Sequence, residues 1–150
     1  AMYEIGVNEM CRLNAAASSI ALNVRASSAT DVTGFGLLGH LAELATASGL
    51  SASINMSQIP LLPNVESLID QGFVASGSVR NLDFLDDSVT GGTPSQRLLL
   101  ADAQTSGGLL FACDQSAAEE ALHALIETGH TAAIIGRLDD GAPGHITIDS

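Results

Sequence analysis

The sequence has no lysine and no tryptophan, and its five basic residues are all arginines. Seventeen acidic residues oppose them, so the formal net charge is −12 at pH 7. Nucleic-acid binding depends on cations that face phosphates, which argues against it for this chain. Enzymes that hold nucleotide phosphates by themselves also need lysine or several arginines. Any phosphorylated ligand therefore needs cations from metal ions or from another polypeptide segment.

Long apolar runs and paired cysteines are missing as well. No run approaches the roughly 18 to 20 residues that a membrane-spanning helix needs, and the start of the chain lacks the pattern of a signal peptide. Cys11 and Cys113 are too few for a disulfide scaffold and too far apart for a zinc knuckle. We therefore expect a cytoplasmic protein with reduced thiols. With 150 residues, 46% of them hydrophobic, the chain fits one domain, 1–150, with a real core.

Hydrophobic periodicity predicts the elements of the first half. Residues 7–25 place apolar side chains at spacings of three and four, which predicts one amphipathic helix. The next segment, with glycine and threonine, is typical of a turn, and the apolar run behind it predicts a helix from Gly36 that ends at Gly49. SASIN alternates like a strand with Ile54 on its buried face. A loop with two prolines follows, and Asn64 is predicted to cap a short helix.

The second half is predicted to be a long loop followed by a crossover unit. Residues 75–95 are rich in Gly, Ser, Asp and Thr, which is typical of a mobile or functional loop. GGLLFACD and TAAIIGRL predict two buried strands, with a helix between them that Ser116 caps. This unit, from Gly107 to Leu138, indicates a crossover within one sheet, and HITID predicts a last, edge strand. We therefore predict an α/β or α+β fold, with one mixed β-sheet covered by helices.

Two stretches of small polar residues lead into apolar elements, ATDVTGFGLLGH at 29–40 and ADAQTSGGLLFA at 101–112. In the first, Asp31 precedes Gly34 and Gly36, and glycines let a backbone approach a ligand closely. The helix start behind them favours an anion, and a carboxylate beside it can hold a divalent cation that neutralises a polyphosphate. A second interpretation stands beside this one: Asp31 caps a turn and the glycines permit tight packing. The spacing fits neither GxxxxGK[ST] nor GxGxxG.

The other polar candidates each have a structural and a functional interpretation. His40 follows the glycine turn and is either a core or surface residue or a group that approaches a ligand. Arg80 and Arg97 flank the predicted loop and are either solvated or within reach of a phosphate or a partner domain. Cys11 and Cys113 are interpreted as packing residues, on a helix and on a buried strand. The other three histidines have no spacing that predicts a metal site.

A family resemblance runs through the same stretches. TDVTGFGLLGH, the pair Arg80–Asn81, DAQTSGGLLFA and the closing AAIIGRL occur in this order within residues 7–138. Together they resemble the C-terminal domain of the selenophosphate synthetase (selenide, water dikinase) family, within the aminoimidazole ribonucleotide synthetase-like ATP-binding superfamily. Ala103 departs from the family pattern, which usually has proline there. We expect this difference to loosen one turn without touching the chemistry.

The resemblance implies a reaction in which ATP, selenide and water give selenophosphate, AMP and orthophosphate. It implies that Asp31 helps to bind the Mg²⁺ ions that bridge the ATP phosphates, together with aspartates of an N-terminal domain. Thr33, Gly34 and Gly36 are expected to shape this cofactor-binding loop, and the turn 104–108 to pack beside it. No catalytic residue is assigned to this chain. The family's reactive cysteine or selenocysteine and its lysine belong to a glycine-rich N-terminal segment, which nothing here matches.

The resemblance thus predicts that residues 1–150 are part of an enzyme and are inactive alone. The expected partners are the missing N-terminal domain, ATP and selenide, and the full-length protein is expected to be a homodimer, with no nucleic acid and no membrane. A second function stays open, a stand-alone, non-catalytic interaction module with the same fold. That alternative requires Met2 to be a native start.

Overall fold

The computed structural model describes residues 2–149, except for the side chains of Met2 and Asp86. The helices are α1 (Met2–Cys11), α2 (Ala15–Asn23), α3 (Gly36–Ser48), α4 (Val65–Asp70), α5 (Ser76–Leu85), α6 (Pro94–Leu100) and α7 (Gln115–Glu127). The strands are β1 (Ser28–Asp31), β2 (Ser51–Asn55), β3 (Val89–Gly91), β4 (Leu109–Ala112), β5 (Gly136–Asp139) and β6 (Ile146–Asp149). Short 3-10 helices follow β2 and α5. Of the helices just given, none has the length and apolar character needed to cross a membrane.

Two sheets organise the molecule. The larger has the strand order β3-β6-β2-β5, in which β2 and β3 run parallel to β6, and β5 runs antiparallel to β2. The smaller is the antiparallel pair β1-β4. Helix α3 contacts strands of both sheets and so connects them. The predicted α/β class with one main mixed sheet and helices is confirmed, and the two-stranded sheet is an addition that was not predicted.

The core lies between α3 and the larger sheet. The apolar residues of α3 recur at spacings of three and four and bury Leu38, Leu41 and Ala45. Strand alternation buries Ile54 of β2 and Ile146 of β6 in the same cluster. Leu38 and Ile146 are both 0% exposed. Burial of each such side chain stabilises the fold by about 1.5–3 kcal/mol relative to leaving it in water.

The predictions for α3 and β2 are confirmed. Helix α3 ends at Gly49, whose φ of 70° is the left-handed conformation that glycine adopts at a helix end. Strand β2 covers SASIN, and Ile54 is buried as predicted. In α3 and β2 the local sequence signals and the tertiary packing agree. Helix α4 follows Asn64 as predicted, but the predicted capping is wrong, because the Asn64 side chain makes no capping hydrogen bond.

The single helix predicted over residues 7–25 is wrong, because a break separates α1 from α2. The polar side chains at the break contact distant parts of the chain. The Arg12 guanidinium donates to Gly129 O at 2.6 Å, and the Asn14 amide donates to Gly107 O at 3.3 Å. These long-range hydrogen bonds override the helical periodicity of the segment.

Two predictions of irregular structure are also wrong. The turn predicted before α3 contains β1, and the loop predicted over residues 75–95 contains α5, β3 and the start of α6. Ser78 of α5 is fully buried although it is polar, because its hydroxyl donates to Asp102 Oδ1 at 3.0 Å. Helix α6 begins with a capping box in which Thr93 is the N-cap and Pro94 the first helical residue. A polar segment was therefore predicted as a loop although it forms helices and a strand, because its polar side chains make tertiary and capping contacts.

The predicted crossover from Gly107 to Leu138 is wrong, because β4 pairs with β1 in one sheet and β5 pairs with β2 in the other. Strand β5 begins only at Gly136, where a missing side chain lets the backbones of β5 and β2 approach. Strand β6 lies inside the larger sheet and not at its edge. Helix α7 is capped by Asp114, which accepts from Ser116 N at 2.9 Å, and not by Ser116.

Candidate functional site

Asp31 is the last residue of β1, and its side chain is exposed. Its backbone is held against β4, since Leu109 lies opposite and Val32 N donates to Gly108 O at 2.9 Å. Among the described residues, no group donates a hydrogen bond to the Asp31 carboxylate or pairs with it. The interpretation of Asp31 as a turn cap is therefore not supported. The carboxylate is available to a group from outside the chain.

The two motif segments, residues 31–36 and 101–108, bind each other through the backbone, and we call them the paired loops. Val32 exchanges two backbone hydrogen bonds, each 2.9 Å long, with the second loop. A third joins Gln104 N to Thr33 O at 3.1 Å. The predicted packing of the second segment beside the first is confirmed. Segments that are distant in the sequence thus form one unit around Asp31.

Gly36 and Gly34 contribute to this unit in different ways. Gly36 has a φ of +69°, and a Cβ atom there would lie 2.6 Å from Ala101 C. Tight packing of the two loops therefore requires glycine at this position. Gly34 is exposed, and no heavy atom lies within 4 Å of the place a Cβ atom would take. The chain itself has no steric need for glycine there, and the open space permits close approach of a ligand.

Helix α5 connects the paired loops to the rest of the domain. The Asn81 amide donates to Gly34 O at 2.8 Å and to Ala101 O at 3.0 Å, one acceptor in each loop. Ser78 Oγ accepts from Ala103 N at 3.2 Å. Sequence reasoning missed both side chains as parts of the site. Asn81 belongs to a motif of the resemblance, which is a usable signal, whereas nothing in the sequence singles out Ser78.

His40 lies on α3 behind the first loop, and its side chain is only 9% exposed. Its Nε2 lies 3.1 Å from Thr33 Oγ1, and the Phe35 ring packs beside the imidazole at a centroid distance of 5.6 Å. Its Nδ1 is buried and has no hydrogen bond among the described residues. The nearby Glu43 Oε2 is 3.6 Å from Nδ1, slightly beyond hydrogen-bond distance. His40 is thus a buried residue that contacts the loop of Asp31.

A groove of about 410 Å³ opens between β1 and α3. Thr30, His40 and Glu43 line it, and Ser28 in the same wall has a buried hydroxyl without a partner among the described residues. The groove is open and its lining is mixed in polarity, unlike the enclosed, mostly apolar pockets that bury small ligands. This groove by itself therefore does not enclose a nucleotide.

The remaining candidates have separate roles. Arg97 Nε donates to a backbone carbonyl at 2.7 Å, which is a structural contact. Arg80 is exposed and pairs with no side chain that the structure describes, so it is available to solvent, phosphate or a partner. Cys11 is exposed, which contradicts its interpretation as a packing residue. Cys113 follows the last residue of β4 and is half-buried. Burial is the main cause that raises the pKa of its thiol, and the charge of Asp114 raises it further.

The fit of the site to a divalent cation depends on its oxygen ligands. Among the side chains that the structure describes, no three from His, Cys, Asp or Glu lie close enough together to hold a metal ion. Asp31 supplies one exposed carboxylate, the type of ligand that Mg²⁺ combines with phosphate and water oxygens. The residues therefore fit Mg²⁺ as part of a larger ligand set. They do not form a complete site by themselves.

Comparison with known proteins identifies relatives that match most of this chain. Residues 6–149 match the family described as AIR synthase related protein, C-terminal domain. The chain is 44% identical over 142 residues to the selenide, water dikinase of Porphyromonas gingivalis, and 40% identical over 145 residues to that of Photorhabdus laumondii. The matches cover 93% and 97% of this chain but 41% and 42% of the relatives, so the chain spans about two fifths of their length.

Solved structures with the same fold share less of the sequence. Hydrogenase maturation protein HypE superimposes with a TM-score of 0.55 at 22% identity, over 87% of this chain and 36% of that one. Thiamine-monophosphate kinase from Stenotrophomonas maltophilia gives 0.53 at 18% identity, over 83% and 31%. At these identities the likeness concerns the fold alone, and it agrees with the predicted fold class. The resemblance seen in the sequence is confirmed, and the chain belongs to the AIR synthase related protein family, whose C-terminal domain it matches over almost its whole length.

Proposed function

We propose that this chain is the C-terminal domain of a selenide, water dikinase, which makes selenophosphate, AMP and orthophosphate from ATP, selenide and water. Two relatives with that name are 40% and 44% identical to it over more than nine tenths of its length. The rest of those relatives corresponds, in this proposal, to the N-terminal domain that is its partner. We expect the complete protein to be a cytoplasmic homodimer.

The single observation that carries the proposed role of this chain is the state of Asp31. Its carboxylate is exposed and unpaired among the described residues, while its backbone is fixed by the paired loops. A carboxylate held in this way is suited to a cation that arrives with a ligand, because no internal contact has to break first. Bound Mg²⁺ neutralises the charge of the ATP phosphates. Thr33, Gly34 and Gly36 shape the loop that presents Asp31 to it.

The same chain lacks several groups that phosphoryl transfer needs. It has no lysine to hold phosphates. Of its arginines, Arg25 and Arg80 are exposed, and Arg97 is bound to a backbone carbonyl. Cys113 has a raised pKa, which is the opposite of an activated thiolate. We therefore propose that the isolated chain binds Mg²⁺–ATP weakly or not at all and has no activity without its partner domain.

Reconstitution tests this proposal. The N-terminal part of the Porphyromonas gingivalis relative, up to the start of the matched segment, is mixed with this chain, and products are followed by ³¹P NMR. We expect selenide-dependent formation of AMP and selenophosphate by the mixture and by neither part alone. If the two parts bind each other but release no AMP with selenide, the alternative of a non-catalytic interaction module is favoured. Fusion of the two parts in one chain controls for weak association.

A further inference from the structure

The side chains of Glu43, His40 and Thr33 lie next to one another, from α3 to the first of the paired loops. Glu43 Oε2 is 3.6 Å from His40 Nδ1, and His40 Nε2 is 3.1 Å from Thr33 Oγ1. The imidazole between them is nine-tenths buried, and the Phe35 ring restrains it from the side. Carboxylate, imidazole and hydroxyl thus form a series that runs from α3 to the loop of Asp31.

The surroundings of the imidazole determine which of its nitrogens carries the proton. A neutral imidazole has one N–H donor and one nitrogen that accepts. Nδ1 is buried, and the polar atom placed beside it belongs to the Glu43 carboxylate. A carboxylate attracts an N–H group, whereas it repels a lone pair that is buried next to it. The tautomer with the proton on Nδ1 is therefore favoured in His40.

This tautomer fixes the role of the Thr33 hydroxyl. With the proton on Nδ1, His40 Nε2 has a free lone pair and accepts the hydrogen of Thr33 Oγ1 across 3.1 Å. A hydroxyl whose hydrogen is used in this way keeps its oxygen lone pairs for another partner. The oxygen of Thr33 is then an acceptor or ligand only, and not a donor.

Asp31 and Thr33 are separated by one residue. Strand β1 ends at Asp31, and Val32, which is only 7% exposed, continues the contact with the second loop through its hydrogen bond to Gly108 O. The exposed Asp31 carboxylate and the Thr33 hydroxyl thus belong to one short loop segment that the second loop holds. Two oxygen groups this close in the chain can serve one cation.

We propose that His40 is a positioning residue: with the Glu43 carboxylate beside its Nδ1, it accepts a hydrogen bond from the Thr33 hydroxyl, and Thr33 Oγ1 thereby becomes a second oxygen ligand for the cation that Asp31 binds. The identity of the cation rests on the proposed function, whereas the series itself rests on the contacts of this chain. In metal sites, mutation of a residue that hydrogen-bonds to a metal ligand and orients it commonly lowers metal affinity about 10- to 100-fold.

The tautomer is tested first, on the isolated chain at neutral pH. Long-range ¹H–¹⁵N correlation spectra of the histidine rings distinguish protonation at Nδ1 from protonation at Nε2, and His40→Gln identifies the signals. We expect the Nδ1–H form in the wild type and a mixture in Glu43→Gln. Glu120→Gln, at an exposed glutamate of α7, is the matched control and leaves the spectrum unchanged. An Nε2–H form in the wild type overturns the series.

The cation is tested with Mn²⁺ alone, which broadens amide signals close to its binding site. We expect broadening of residues 31–34 in the wild type and none in Asp31→Asn. Thr33→Val should need about tenfold more Mn²⁺ for the same broadening. Thr33→Ser keeps the hydroxyl and should behave as the wild type. The amide spectra themselves verify that each variant is folded.

The role of His40 is tested in the same titration. His40→Leu should weaken Mn²⁺ binding as Thr33→Val does, and His40→Gln, which keeps a polar group near the position of Nε2, should restore part of it. If Asp31→Asn abolishes the broadening while Thr33→Val and His40→Leu leave it unchanged, this inference is overturned and the proposed role of Asp31 stands. If Asp31→Asn has no effect, the metal ligand of the proposed function is wrong. No broadening in the wild type overturns the assignment of Thr33, and AMP release by the reconstituted pair still decides on Asp31.

Discussion

Helix α1 and the paired loops differ in how the rest of the chain holds them. None of the described side chains of α1 is buried, and its apolar residues Tyr3 and Ile5 are 83% and 40% exposed. The paired loops are held by three backbone hydrogen bonds to each other and by the side chains of Asn81 and Ser78. Asn14, just after α1, also donates to Gly107 O at 3.3 Å. The loops are thus held by contacts outside α1, and we expect the geometry around Asp31 not to depend on that helix.

The largest loss of stability is expected from Gly36→Ala. The new Cβ atom would lie 2.6 Å from Ala101 C, and alanine disfavours the φ of +69°. Backbone strain of this kind costs about 1–3 kcal/mol, to which the clash between the loops adds. Urea denaturation measures the free energy of unfolding. Gly34→Ala is the matched control, since its Cβ would have open space. Equal losses in both variants would contradict the account of the paired loops.

Deletion of residues 2–11, which form α1, is expected to have a smaller effect. Because no described side chain of α1 is buried, the loss of unfolding free energy should stay below about 1 kcal/mol. The amide chemical shifts of residues 31–36 should also stay unchanged. Chemical shifts that change throughout the paired loops after the deletion would show that α1 supports the site, and would contradict the independence of the loops from α1.

The smallest effect, on reactivity and not on stability, is expected at the two cysteines. Cys11 is exposed on α1, whereas Cys113 follows β4, the strand that pairs with β1, and burial raises the pKa of its thiol. Since the thiolate is the reactive form, Cys113 should react more slowly with iodoacetamide at neutral pH. Its rate should rise steeply as the pH is raised above neutral, because more of its thiol becomes thiolate. Peptide mass spectrometry at several pH values measures both rates, and faster labelling of Cys113 would contradict the burial described here.

The elements that could be predicted from the sequence are those whose signals are local. Helix α3 combines a regular apolar spacing with a terminal glycine at position 49, and β2 alternates through Ile54. The pairing of β1 with β4, and the division of the strands into two sheets, depend on contacts between distant segments. No local pattern records these contacts. The helix predicted over residues 7–25 is wrong for the same reason, since Asn14 is held by the distant Gly107.

The candidate site could be predicted only in part. The motif segments indicated Asp31 and the turn beside it, and the structure brings these segments together. Asn81 and Ser78 were missed because their role is to bind backbone groups far away in the sequence. The contact of His40 with Thr33 was also missed. This contact depends on the orientation of α3 relative to the loop before it, and the sequence pattern does not specify that orientation.

The central claim is that the Asp31 carboxylate binds the magnesium ion of the ATP site in the complete enzyme. The most direct measurement is AMP release by the reconstituted pair as a function of Mg²⁺ concentration, with Asp31→Asn compared to the wild type and to Asp140→Asn, an exposed aspartate of a turn. We expect Asp31→Asn to lower AMP release at least about 100-fold at moderate Mg²⁺. The reason is that loss of a charged metal ligand removes several kcal/mol of the stabilisation that Mg²⁺ gives to the transition state. Asp140→Asn should match the wild type. AMP release by Asp31→Asn at the wild-type rate and with the wild-type Mg²⁺ dependence would contradict the claim.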